Sequence, residues 1–214
     1  MWKAFCMKHV DTLPLFSQAV SLFDLDLDHD KILKRMKKLE YREAAVKRGK
    51  IMVEKTFAGN DYRILNSFPK LKKEVEQACY QHIQNILKMD VDFFIYSSWV
   101  TRTGSKGFTL AHSHPNTWFS GVYYPHTHSS FEIKLHNPYP PMWQPREKED
   151  QLNIYNSNAW IFPALTGRLI LFPSHVPHEI LTNEASYDRY SIAFNVIPEG
   201  PIGWHDGCLN LKNK

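Results

Sequence analysis

His112-Ser113-His114-Pro115-Asn116-Thr117-Trp118-Phe119-Ser120-Gly121-Val122-Tyr123-Tyr124 is the stretch on which the reading of this chain turns. Its second half, from Thr117, is β-branched and aromatic around one glycine, which predicts a strand. Its first half is an H-x-H pair. On an extended backbone, residues two apart share a face, so the two imidazoles can serve one metal. Outward from here, similar short runs recur at Val91 to Thr101, Phe131 to Leu135, Asn158 to Phe162, Arg168 to Phe172 and Tyr190 to Val196. Pro, Gly, Asn and Asp clusters separate them, as in an antiparallel sandwich or barrel. Asn137 to Asn153 holds four prolines and many charges and reads as a long loop, a feature that often carries function.

The first third has a different period. Asp30 is placed to cap a helix through about Arg48, with Ile32, Leu33, Met36, Leu39 and Tyr41 as its apolar stripe. Ser67 and Pro69 open a second helix whose apolar positions, Leu71, Val75, Cys79, Ile83 and Ile86, fall on one face and which should end before Asp90. The expected architecture is mainly β: a jelly roll with N-terminal helices packed on one sheet. It forms a single domain over 1–214, with a helical part over 1–90, a β core over 91–197 and a tail over 198–214.

Composition narrows the classes. A chain of 214 residues suits one domain. With 43% hydrophobic and 22% charged residues it is neither disordered nor fibrous. No apolar run approaches the roughly 18 residues of a membrane span, and Met1 to Val20 lack the apolar core of a secretory signal. Three scattered cysteines, Cys6, Cys79 and Cys208, make neither a zinc motif nor a disulfide framework and point to a reducing cytoplasm. The net charge of +4 is uneven, with nine Lys or Arg between Lys31 and Lys50 against Glu40 and Glu43. A solvated helix face is the simpler reading. A surface for nucleic acid is the sharper one, and no recognition motif accompanies it.

Five of the eleven histidines lie between His112 and His136. His126-Thr127-His128 repeats the H-x-H spacing, but it follows Tyr124-Pro125 and precedes Ser129-Ser130, which reads as an exposed hairpin loop. A third candidate ligand is His178. It follows the strand begun at Gly167 and ended by Pro173, where a side chain can project into the mouth of a sandwich. His175, nearer the turn, reads as structural or supporting. Arg189 and Ser191 share one face of the last strand. A buried guanidinium needs an anion, and its fork suits a carboxylate. The plainer alternative pairs Arg189 with Glu179, Glu184 or Asp188 at the surface.

Taken together, these residues resemble the iron(II)- and 2-oxoglutarate-dependent oxygenases, and more closely a group of small members related to prolyl 4-hydroxylases. The resemblance rests on Trp99, Gly104, His112-Ser113-His114-Pro115 and Ser120-Gly121-Val122-Tyr123-Tyr124. It continues in Leu171-Phe172-Pro173-Ser174, His178, Arg189 and Ser191-Ile192-Ala193-Phe194-Asn195. It covers about 91–197.

The resemblance implies a double-stranded β-helix with Fe(II) at its open end, held by His112, His114 and His178. Arg189, helped by Ser191 and Tyr124, would hold the distal carboxylate of 2-oxoglutarate. Ser120 and Val122 would line the cavity, and Asn195 is a further lining candidate. The superfamily usually carries Asp where this chain has His114. Three neutral imidazoles leave the metal's charge uncompensated until dianionic 2-oxoglutarate arrives.

The implied reaction consumes O2 and 2-oxoglutarate, hydroxylates a substrate and releases succinate and CO2. The substrate is open among a peptide, a small metabolite and a nucleic acid. Trp118, Phe119, Trp143 and Trp160 form either an aromatic wall or core. Two rivals stand beside this reading. A three-His cupin-like metalloenzyme without 2-oxoglutarate leaves Arg189 and Ser191 unused, and a non-catalytic jelly-roll binding module makes the ordered histidines a coincidence.

Overall fold

The computed structural model describes residues 10–47, 50–56, 62–139 and 151–212. In chain order the strands are β1 (Ser21–Asp24), β2 (Tyr41–Lys47), β3 (Lys50–Thr56), β4 (Asp92–Thr103), β5 (Thr109–His112) and β6 (Phe119–Tyr123). There follow β7 (Glu132–His136), β8 (Ala159–Pro163), β9 (Arg168–Pro173), β10 (His178–Ile180), β11 (Arg189–Ile202) and β12 (Leu209–Leu211). Two helices, α1 (His29–Met36) and α2 (Pro69–Tyr80), precede the barrel strands. The larger sheet runs β1-β9-β6-β11-β4-β3-β2, with β12 on the far part of β11. The smaller runs β5-β10-β7-β8. All named strand pairs are antiparallel. The molecule is a mainly β, double-stranded β-helix with helices on one sheet, as the sequence suggests.

Alternation of side chains sorts the residues of the larger sheet into two cores. Leu169, Leu171, Ile192, Phe194 and Val196 face the helices and meet Met36, Leu71, Val75, Cys79 and Ile83. Val122, Tyr124, Ile170 and Phe172 face the smaller sheet and meet Ile133, Leu135 and Val176. Gly121 is required here, because a Cβ at that position would collide with the Phe194 ring.

The N-terminal third departs from expectation. The α1 cap is Asp28, whose carboxylate accepts from Lys31 N at 2.9 Å, and the helix stops at Met36 instead of continuing to Arg48. Ile32, Leu33, Met36 and Leu39 do pack on the core. Beyond them the chain becomes β2, which pairs with β3, and β3 pairs with β4. A free sheet edge offers a ladder of hydrogen bonds that outweighs the modest helical preference of this segment. The Tyr41 hydroxyl then donates to Met36 O at 2.7 Å, and its ring packs edge-on against Tyr190. Along α2 and into the turn after it, the four-residue spacing buries Leu71, Val75, Cys79 and Ile83. A π-turn over Gln81–Ile86 then inserts an extra residue and swings Ile86 out to 54% exposure. Residues 198–202 and 209–211 are sheet and not a tail, since β11 continues along β4 to Asp92 and pairs with β12. Most of the proline-rich loop, residues 140–150 with Trp143, lies outside the described residues.

Candidate metal and cosubstrate site

The smaller sheet brings His112 and His178 together. They are direct neighbours across β5 and β10, with ring centroids 4.4 Å apart. His114 lies just past β5, where its backbone N–H donates to Ser174 O at 3.0 Å. Its ring centroid is 5.3 Å from that of His112 and 5.0 Å from that of His178. One ligating atom from each of the three residues lies within 4.8 Å of the other two.

The opposite nitrogens are all engaged. His112 Nδ1 meets Leu110 O at 2.8 Å, His178 Nδ1 meets Val176 O at 3.2 Å, and His114 Nδ1 meets Asn195 Oδ1 at 2.7 Å. These three oxygens can only accept, and the Ser120 hydroxyl, 2.9 Å from His114 Nδ1, can accept there too, so the pairs place the proton on Nδ1 and leave the lone pair on Nε2. This is how ligating histidines are oriented. Burial, helped by the neighbouring His112, pushes His178 down to about 3, so its imidazole is neutral at physiological pH.

Asn195 and Ser120 act mainly by holding His114 and only secondarily as cavity lining. The Asn195 amide is oriented by donation from Nδ2 to Ser97 Oγ at 3.2 Å, which turns Oδ1 toward His114. Ser120 Oγ donates to the same Oδ1 at 2.8 Å. The sequence clue was parity on β11: Arg189, Ser191, Ala193 and Asn195 alternate with Ile192 and Phe194, which belong to the helix-side core.

Behind the histidines lies a cavity of about 140 Å³, lined by Ser120, Val122, Tyr124, Arg189 and Ser191 among others. Arg189 sits at 2% exposure. Its Nη1 donates to Leu181 O at 3.3 Å and its guanidinium carbon lies 5.6 Å from the Phe131 ring centroid, but Nη2 has no partner. Glu184 pairs with Lys106, Asp188 lies 3.9 Å from Arg102, and Glu179 pairs with Lys134 and His136. The surface pairing weighed for Arg189 is therefore not formed.

The Tyr124 hydroxyl is also buried without a partner. Burial pushes it up to about 12, against a smaller opposite pull from Arg189, and burial brings Arg189 down to about 10. Both donors thus keep their protons at neutral pH. Buried donors left open are costly unless a ligand meets them. No carboxylate lines this cavity among the described residues. The donor set suits a divalent metal at the histidines and a small dianion reaching inward to Arg189.

Other candidates fall elsewhere. His126 and His128 are not in an exposed hairpin. They lie on the crossover between the two sheets, where both are partly buried. His126 Nε2 accepts from Tyr190 N at 3.0 Å and its ring packs on Phe131, while His128 Nδ1 meets Ser130 Oγ at 2.9 Å. The polar sequence around them concealed that Phe131 anchors the segment. His175 is exposed, near the Tyr139 ring. Trp118 and Phe119 join the helix-side core, and Trp160 lies on the edge strand of the smaller sheet, so these residues form no common wall at the metal.

Residues 97–195 match a family described as putative 2OG-Fe(II) oxygenase. A search of curated proteins finds no match. Among solved structures, the chain is similar to HygX from Streptomyces hygroscopicus with nickel, 2-oxoglutarate and hygromycin B bound. That match has a TM-score of 0.58 and 10% identity, over 85% of this chain and 83% of that one. It is similar to a Trichoplax adhaerens prolyl hydroxylase in complex with a hypoxia inducible factor peptide, with a TM-score of 0.56 and 15% identity over 83% and 82%. A Pseudomonas putida prolyl-4-hydroxylase gives a TM-score of 0.52 and 15% identity over 86% and 94%.

Proposed function

We propose that the chain is a 2OG-Fe(II) oxygenase, as the match of residues 97–195 to that family supports, that His112, His114 and His178 hold its iron, and that Arg189, Tyr124 and Ser191 hold the distal carboxylate of 2-oxoglutarate. One observation carries the assignment. In the dry interior, Arg189 Nη2 and the Tyr124 hydroxyl lack protein partners and line the cavity that the three imidazoles also line. A dianion spanning the two ends would satisfy both and offset the charge of a metal held by neutral ligands.

With iron and 2-oxoglutarate bound, O2 is reduced at the expense of the keto acid, which leaves as succinate and CO2, and the substrate is hydroxylated. The residues of the chain contribute placement. Val176 and Leu110 carbonyls and the Asn195 amide fix the three imidazole planes before any ligand arrives. Arg189 and Tyr124 set how deeply the cosubstrate sits, and Phe131, Ile133 and Phe172 keep water from that end. None of these groups acts as a base or a nucleophile. A cupin-like site without 2-oxoglutarate would leave Arg189 buried and half-paired, at a cost nothing offsets.

Helices and both sheets act as one domain in this reading. The free thiols Cys79 and Cys208 fit a reducing cytoplasm, and no helix among the described residues is long and apolar enough to cross a membrane. The test is anaerobic titration of 2-oxoglutarate into the Fe(II) protein, followed by its visible absorption. Arg189→Ala should keep iron and lose about 2–5 kcal/mol of cosubstrate binding, roughly 30- to several-thousand-fold in affinity. Arg189→Lys should recover little of it, because a point charge cannot replace the fork. Equal affinity in wild type and Arg189→Ala would remove the cosubstrate assignment.

A further inference from the structure

A second, larger cavity of about 810 Å³ opens at the β7–β8 side of the smaller sheet. Its position follows from the register of the smaller sheet. His112 pairs with His178, His178 with Leu135, and Leu135 with Trp160, so the four residues form one row across β5, β10, β7 and β8. Paired residues point to the same face, and His178 and Leu135 are buried between the sheets. Trp160 therefore extends the row of histidines along the inner face. It lies two strand spacings, about 10 Å, from His178. Leu135, Val176 and Trp160 line the cleft, and Val176 is the residue whose carbonyl orients His178. The opposite wall is the segment before β1, with Leu13, Leu15 and Phe16, and a further side is made by Tyr139, Ile154 and Tyr155.

The chemistry of the lining is one-sided. Asp, Glu, Lys and Arg make up 22% of the chain, yet none lines the cleft among the described residues. Five aromatic side chains, Phe16, Tyr139, Tyr155, Trp160 and Phe162, line it, and the polar lining is His136, whose Nε2 meets Glu179 Oε1 at 3.1 Å, with neutral groups such as Asn137, Ser157 and Asn158. A lining of apolar and aromatic groups with a few neutral polar ones, at this volume, is the usual make-up of a small-molecule site. The inner cavity, at about 140 Å³, has room for the cosubstrate and little more.

We infer that this cleft is the primary-substrate site and that it takes a small, uncharged, ring-bearing organic molecule. The body of the molecule stacks on Trp160 and Tyr139, and one end reaches about 10 Å along the row toward the metal. The inference rests on the proposed function, since it takes the histidine row as the reacting end. An anionic or cationic substrate would lose its hydration against a lining whose one titratable side chain among the described residues, His136, is already engaged by Glu179.

The probe is 1-fluoronaphthalene, a neutral fused-ring molecule, followed by fluorine NMR on the full chain. Saturable binding is expected, with manganese(II) but not zinc(II) in the histidine site speeding fluorine relaxation. Trp160→Glu should weaken binding at least about ten-fold, and Trp160→Phe should retain it. Ile161→Glu is the control: Ile161 is 48% exposed on the opposite face of the same strand, and its change should leave binding as it is.

Three results would overturn the inference: no saturable binding, equal loss in Ile161→Glu, or no manganese effect on a bound probe. Sedimentation of the same samples adds a fourth. Probe binding that only appears as a dimer dissociates would make the cleft a contact between copies of the chain. Trp160→Glu should leave 2-oxoglutarate binding to the Fe(II) protein within about two-fold. Probe binding lost with cosubstrate binding intact in the wild type sinks the cleft alone. Cosubstrate binding absent with probe binding intact sinks the functional reading and leaves a neutral-ligand site whose role must be reassigned.

Discussion

The chain contains the same tripeptide pattern twice, His112-Ser113-His114 and His126-Thr127-His128, and the two copies have opposite fates. The first ends an edge strand of the smaller sheet, opposite His178, with each Nδ1 donating to a fixed oxygen and the three rings converging. The second lies on a crossover, where one Nε2 is spent accepting from Tyr190 N and the rings pack on Phe131. Identical spacing gives a pair of imidazoles converging on His178 in one place and a packed support in the other. What decides is which nitrogen the backbone and its neighbours already use. An H-x-H motif is informative once its Nδ1 partners are known, and hardly before.

The comparison breaks most sharply under alanine. His178→Ala should leave a protein that retains no iron through gel filtration, while His126→Ala should bind iron as wild type does; metal analysis of the two purified proteins decides it. The next effect concerns the group behind His114. Asn195→Leu removes the acceptor that fixes the ring and should weaken metal affinity about 10- to 100-fold, measured by competition with a chelator. Ser130→Ala, the corresponding change beside His128, should leave affinity unchanged.

Smaller effects fall on the second pair and are read in stability. His126→Ala removes the acceptor that Tyr190 N–H meets at 3.0 Å and should cost about 1–3 kcal/mol in denaturant unfolding. The same residue predicts a pH dependence. Burial, with smaller contributions from Lys37 and Arg189, holds His126 down to about 4 in the folded protein, against 6.5 as its ordinary value. The unfolded chain therefore binds the proton first as pH falls, so stability present above about 6.5 is lost progressively toward 4. Unfolding midpoints across that window should fall less steeply in His126→Asn than in wild type. The smallest expected effect is at His114. His114→Asp supplies a carboxylate in a hard-metal site and should hold or modestly tighten iron affinity. A folded His114→Asp protein without iron would mean that the site depends on imidazole there.

Much of the barrel was legible because its strands are short, β-rich and separated by turn residues, and because Arg189 and Ser191 alternate with core residues Tyr190 and Ile192. The N-terminal third was less legible for a physical reason. Residues 41–47 have a composition either helix or strand accepts, and the free sheet edge beyond β4, distant in sequence, settles the choice. Ile86 was misread because a π-turn breaks the four-residue phase that Leu71, Val75, Cys79 and Ile83 keep. The roles of His126 and Asn195 depend on contacts with Tyr190 and His114 made across 64 and 81 residues of chain, which no local pattern encodes.

The central claim is that three imidazoles hold one iron. Crystals of the anaerobic Fe(II) protein, measured at the iron absorption edge, test it directly. The account predicts one anomalous peak about 2.0–2.3 Å from Nε2 of His112, His114 and His178, by analogy with other histidine–metal bonds. A peak elsewhere, or one with His114 turned away and a carboxylate in its place, would contradict it.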